Sequence, residues 1–129
     1  MSVTVYWDTD EKRNIRQVYG VDWNWEEFLK AFDQTRQLAL EVDYPIGIIA
    51  EVKTIKYLAS EAVPYGLRAI RTISPNIVLL VVITPSDPIK MMIRVVIKIS
   101  QFHKLLFAQN VEHARKLVAA AAEQHNALS

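Results

Sequence analysis

The order of apolar and polar positions divides the chain into nine segments. Val3 to Trp7 is β-branched and aromatic and predicts a strand. Residues 8–14 are polar throughout and read as a turn. Ile15 to Tyr19 predicts a second strand, ended by Gly20. Two strands around a short polar link predict an antiparallel hairpin. Asn24 then reads as a helix N-cap, and Glu27, three residues on, completes a capping box. Trp25, Phe28, Leu29, Phe32, Thr35, Ala39 and Val42 follow helical spacing, so this helix is predicted to run to about Val42.

The second half alternates in the same way. Ile46 to Val52 is a short apolar run, read as a buried strand. Residues 53–63 carry no clear period. Pro64 suits the first turn of a helix, with Tyr65, Leu67, Ile70 and Ile73 turned inward. Ile77 to Ile83 is apolar at every position and predicts a central strand. Asp87 reads as a cap and Pro88 as the first residue of the next helix. From Ile89 to Ile99 the Ile and Val content fits a strand or a helix. Lys90, Arg94 and Lys98, at i, i+4 and i+8, decide for a helix. Lys104 to Ala108 is a last short strand, and Asn110 caps a final helix from Val111 to about Gln124. Its apolar face is Ala114, Leu117, Val118 and Ala121. The predicted order is β-β-α-β-α-β-α-β-α. This is an α/β fold with a five-stranded, mostly parallel mixed sheet, in one domain over residues 1–129.

This order resembles the STAS domain, named for sulphate transporters and anti-sigma-factor antagonists, and in particular its small stand-alone branch. Residues 21–28 (VDWNWEEF) resemble that branch's Trp-rich capped helix start. Residues 74–77 (SPNI) resemble its proline-asparagine approach to the fourth strand. Residues 110–117 (NVEHARKL) resemble its closing helix. The resemblance implies a non-enzymatic interaction or regulatory module, with nucleotide or small hydrophobic ligands sensed in some members. It also implies a serine phosphoswitch at the start of the second helix. The sequence departs there. Ser60 has no Asp before it and no Gly two residues after it, so the switch is expected to be absent.

Composition narrows the chemistry. The 129 residues include no cysteine, which excludes disulfides, thiolate catalysis and Cys-ligated zinc. Three separated glycines leave no dinucleotide fingerprint or P-loop. The N-terminus carries no signal-peptide pattern and no apolar run is long enough to span a bilayer, so a cytoplasmic protein without a transmembrane segment is expected. The net charge of +1 offers no global field for nucleic acid, and the basic residues do not cluster with exposed aromatics. Charge is nevertheless uneven. Residues 1–51 hold five Lys/Arg against ten Asp/Glu, a balance of −5, and residues 52–129 a balance of +6. If these halves map to opposite faces, oppositely charged partners are favoured.

Few residues carry candidate chemistry. His113 and His125 stand too far apart on one helix to chelate one ion, and His103 sits at an element end. Asp8, Asp10 and Glu11 lack the glycine and distal glutamate of a calcium loop and read as a solvated hairpin turn. No catalytic residue, cofactor or metal is predicted. Trp23 and Trp25 flank the first cap. They either pack there or line an apolar ligand cleft with an indole N–H as polar handle. The helix from Ile89 to Ile99 is apolar around far more than the roughly 100° that faces a core. Met91, Val95 and Ile99 fall outside that arc, beside Lys90, Arg94 and Lys98. These six residues are the predicted interaction surface, for a homodimer or another protein partner first and a membrane surface second. The alternative function is a carrier or sensor of a small amphiphile or lipid in an apolar cleft.

Overall fold

The computed structural model describes residues 2–54 and 59–128, and of residues 59, 60 and 128 it describes the backbone alone. The strands are β1 (Val3–Trp7), β2 (Asn14–Tyr19), β3 (Ile46–Glu51), β4 (Ile77–Ile83) and β5 (Leu105–Ala108). The helices are α1 (Trp25–Ala39), α2 (Ala59–Ile70), α3 (Asp87–Ser100) and α4 (Val111–Leu128). β1 and β2 form the predicted antiparallel hairpin, with Val3 opposite Tyr19 and Trp7 opposite Ile15. β2 through β5 are parallel, and the sheet order is β1-β2-β3-β4-β5. The α/β class and the strand–helix order are those the sequence predicts.

The sheet order explains why the two faces differ. Each parallel strand is laid beside the last in one direction, so crossovers of one hand all fall on the same face. α1, α2 and α3 therefore share a face, where Ile15, Ile48, Leu80 and Val82 form the core with Phe32 and Ala69. α4 follows the last strand and lies on the opposite face, with Ala114 and Val118 against Ile49, Leu79 and Val81. The period of two along β3 sends Ile48 to one core and Ile49 to the other. Gly47 belongs to the α4 face. A Cβ built there would stand 2.5 Å from both methyls of Val118, so only glycine lets α4 approach this closely.

Several local expectations are corrected. Pro64 is the sixth residue of α2 and not its first turn. The helix extends N-terminally because Ala62, like Gly66 and Ala69, is needed against the core side. The exposed Pro64 removes only one backbone bond. Those small residues, with Ile70, face inward. Tyr65 instead stacks on Trp25 at 5.1 Å. The cap of α3 is Ser86, whose hydroxyl accepts from the Ile89 amide at 3.3 Å, and Asp87 is already helical. α1 ends at Ala39, where Asn76 donates to the Ala39, Val42 and Tyr44 carbonyls and consumes its free end. The acidic and basic halves do not map to opposite faces. Acidic α1 packs over β1 and β2, and basic α3 packs beside α2 in the same layer. The unassigned stretch 53–63 includes residues 55–58, which lie outside the described residues, as does the side chain of Ser60.

Candidate functional site

A cavity of about 120 Å³ lies between the sheet and the layer of three helices. Its floor is Gln17 and Tyr19 of β2, Ala50 of β3, Leu80 and Val82 of β4 and Leu105 of β5. α1 contributes Trp25, Phe28 and Phe32, and Trp23 stands just before it. α2 contributes Ala62, Gly66, Ala69 and Ile70, and α3 contributes Ile89, Met92, Ile93 and Val96. The void has a plain cause. Gly66 brings α2 against α3, where an added Cβ would meet Val96 at 2.9 Å. The alanines beneath that contact are too short to reach Ala50 on the floor, and space remains.

The capping box places the aromatic wall. Asn24 accepts from the Glu27 amide at 2.8 Å and Glu27 accepts from the Asn24 amide at 3.2 Å, which fixes where α1 begins. Trp23 and Trp25, on either side of this cap, both line the cavity. Their rings meet edge to face at 4.9 Å, and Phe28 meets Trp25 at 5.3 Å. The Trp23 indole N–H donates to the Thr54 carbonyl at 3.2 Å, which ties the wall to the chain after β3.

One buried polar chain borders this space. Tyr19 donates to Gln17 Oε1 at 2.9 Å. Gln17 Nε2 donates to Thr35 Oγ1 at 2.8 Å, and the Thr35 hydroxyl donates to the Ala31 carbonyl at 2.7 Å. The direction of the chain fixes the Gln17 amide, because the Thr35 proton is committed to its own helix. Among the described residues this leaves one Gln17 N–H and one lone pair on Tyr19 Oη without a partner. Burial pushes the Tyr19 phenol far above its ordinary pKa, so it stays neutral. Among the described residues no Asp, Glu, Lys, Arg or His lines the cavity. A charged ligand would be desolvated there without a counter-ion, whereas a neutral apolar one is accommodated.

A second cluster lies on the other side of the sheet and was missed by sequence reasoning. Asp8 is not a solvated turn residue, since its side chain is only 2% exposed. Arg115 of α4 grips it through Nε at 2.8 Å and Nη2 at 2.9 Å, and Arg16 of β2 adds a bond at 3.2 Å. Arg16 also pairs with Glu51. The Arg115 guanidinium holds the Asp8 carboxyl below the usual carboxylate range, against the opposing effect of burial, and Arg16 adds to the shift. Asp8, Glu51 and the exposed Glu112, which stands 3.5 Å from Arg115, compensate the two guanidiniums, and the geometry reads as a clamp between the hairpin and α4. The Asp8–Arg115 contact spans 107 positions, so no local signal announces it.

The predicted interaction residues all lie on α3. Met91, Val95 and Ile99 are 64%, 46% and 58% exposed. Arg94 and Lys98 are exposed beside them and Lys90 is half-buried. Lys90 and Arg94 stand over the Phe107 ring at 6.0 and 5.4 Å. Trp23 and Trp25 are in the cavity, on the opposite side of α3 from this row. His113 accepts from the Gln109 amide at 3.2 Å, a capping role at the start of α4. Among the described residues no group of three or more His, Asp or Glu could hold a metal ion. No helix among them is long and apolar enough to cross a membrane. Comparison with family models, with curated proteins and with solved structures gives no match.

Proposed function

We propose that this protein is a non-catalytic binding module for a small neutral, mostly apolar molecule. The observation that carries the reading is a cavity whose described lining carries no charged side chain, with an aromatic wall on one side and one buried amide and one buried phenol at its border. Its volume of about 120 Å³ approaches that of a protein cavity known to take up benzene. A ring or a short branched chain fits such a space. The lining is almost wholly apolar, so the ligand is expected to be a hydrocarbon or a molecule with little polar surface. Binding of this kind needs no catalytic group. It agrees with the regulatory role that the STAS-like element order and the motifs at residues 21–28, 74–77 and 110–117 imply. In that reading the ligand alters the roof formed by α2 and α3, and a partner senses the change.

Native mass spectrometry of protein purified from its own source tests the reading. The expected result is a stoichiometric neutral adduct that organic solvent releases. Ala69→Leu, which fills the cavity from α2, should abolish it while the protein stays folded. In a parallel titration, toluene should shift the melting temperature of the natural protein and not that of Ala69→Leu. A natural protein that carries no adduct and is indifferent to toluene would end the proposal.

A further inference from the structure

The outer side of α3 is the largest feature that the cavity leaves unexplained. Met91, Val95 and Ile99 form one row along this 14-residue helix, all strongly exposed. Lys90, Arg94 and Lys98 form a second row, one residue earlier and so about 100° around the axis. None of these three cations forms an ion pair with a described residue. After Asp87 the chain has no acidic residue until Glu112. The rows therefore present apolar contact and uncompensated positive charge side by side, on one rigid helix.

Charge decides between the occupants this face could take. A second copy docking through the middle of α3 about a two-fold axis would set the helices parallel, with each cation facing its own copy, or antiparallel. In the antiparallel case Arg94 would meet its own copy and Lys90 would meet the partner's Lys98, with no carboxylate between them. Like charges at a desolvating contact oppose that pairing. A surface of phosphates reverses the sign of the interaction, and acyl chains accept Met91, Val95 and Ile99 without needing a shaped pocket. We infer that α3 docks on an anionic lipid bilayer. The helix lies in the interfacial plane with its apolar row inserted at the headgroup boundary. Arg94 and Lys98 reach the phosphates, and Lys90 stays against Phe107. The opposite side of the same helix, through Ile89, Met92, Ile93 and Val96, walls the cavity.

Co-sedimentation with vesicles tests this, using phosphatidylglycerol mixed with phosphatidylcholine against phosphatidylcholine alone. The expected result is binding to the anionic vesicles at least about tenfold stronger than to the neutral ones, and released near ~0.5 M NaCl. Arg94→Glu with Lys98→Glu should remove it. Met91→Ser with Val95→Ser and Ile99→Ser should weaken it by about tenfold or more, with an unchanged circular dichroism spectrum and melting temperature. These substitutions touch exposed side chains and leave the cavity intact, so an adduct-free protein would not affect the outcome. The inference fails if neither vesicle binds, if both bind equally, or if both variants bind like the natural protein. It also fails if light scattering shows a dimer that Met91→Glu with Val95→Glu converts to a folded monomer, which would assign the face to a second copy.

Discussion

The two faces of the sheet are built to different tolerances. Under α4, Ala114 and Val118 pack on Ile49, Leu79 and Val81, and Gly47 is required because Val118 occupies the place of a side chain. The ion cluster of Asp8, Arg16, Glu51 and Arg115 then ties α4 back to the hairpin. Under α1, α2 and α3 the same sheet carries a cavity, and its wall is made of rings and alanines. One face is a fastening and the other has room. The difference follows from connectivity. α4 is a single helix that settles to its best fit, whereas three helices on one face must satisfy one another as well as the sheet. α2 and α3 approach through Gly66 and Val96, and their mutual contact holds them off the floor.

Glycine substitutions break this comparison most directly. Gly47→Ala should destabilise the fold by about 3 kcal/mol in urea denaturation, because the new methyl meets two methyls that have nowhere to go. A midpoint like that of the natural protein would mean that α4 slides freely over β3. Next in size is Asp8→Asn, expected to cost about 2 kcal/mol. This is below the value for a wholly buried pair because Arg115 is 42% exposed. The cost should depend on pH. Asp8 is held below the ordinary carboxylate range in the folded protein. Its contribution is therefore complete above that range and is lost as pH falls through the lowered value. Stabilities of the natural protein and Asp8→Asn should converge in acid, and a gap that stays constant with pH would show that the charge is irrelevant.

Two smaller effects sharpen the contrast from the side of the cavity. Asn24→Ala removes the acceptor for the Glu27 amide and should lower stability by about 1 kcal/mol. Because Trp23 and Trp25 flank that cap, their fluorescence should report the loosened wall, and an unchanged emission spectrum would detach the cap from the site. Gly66→Ala should be nearly silent, within about 0.5 kcal/mol, although its new methyl also meets a valine. Helix propensity gains from the change, and Val96 borders empty space into which it can move. If Gly66→Ala proves as damaging as Gly47→Ala in the same denaturation series, the two faces are equally tight and the comparison collapses.

Much of the fold is legible one segment at a time. The β1–β2 hairpin, the apolar runs of β3 and β4, the Asn24–Glu27 capping box and the Asn110 cap each rest on residues within a few positions of one another. The two rows of α3 are equally local, since helical spacing alone separates Met91, Val95 and Ile99 from the cations. On the inner face of α2 the sequence reading finds Ile70 and not the small residues Ala62, Gly66 and Ala69, although these stand at i, i+4 and i+7. Three small residues at helical spacing outweigh one exposed proline in the middle of α2.

What the sequence determined by itself is therefore the list of elements, their order and which side of each is apolar, because periodicity and capping act over one or two turns of chain. The tertiary structure decided the rest. Asp8 is a clamp only because Arg115 arrives from 107 positions away, and its polar neighbours in the turn give no hint of burial. Gln17 and Tyr19 border a cavity, and are not simply core, only because small side chains on α2 leave a gap above them. A space between layers belongs to no single segment. It is the difference between how far apart the helices hold one another and how far their side chains reach, and neither distance is written in any one stretch of the chain.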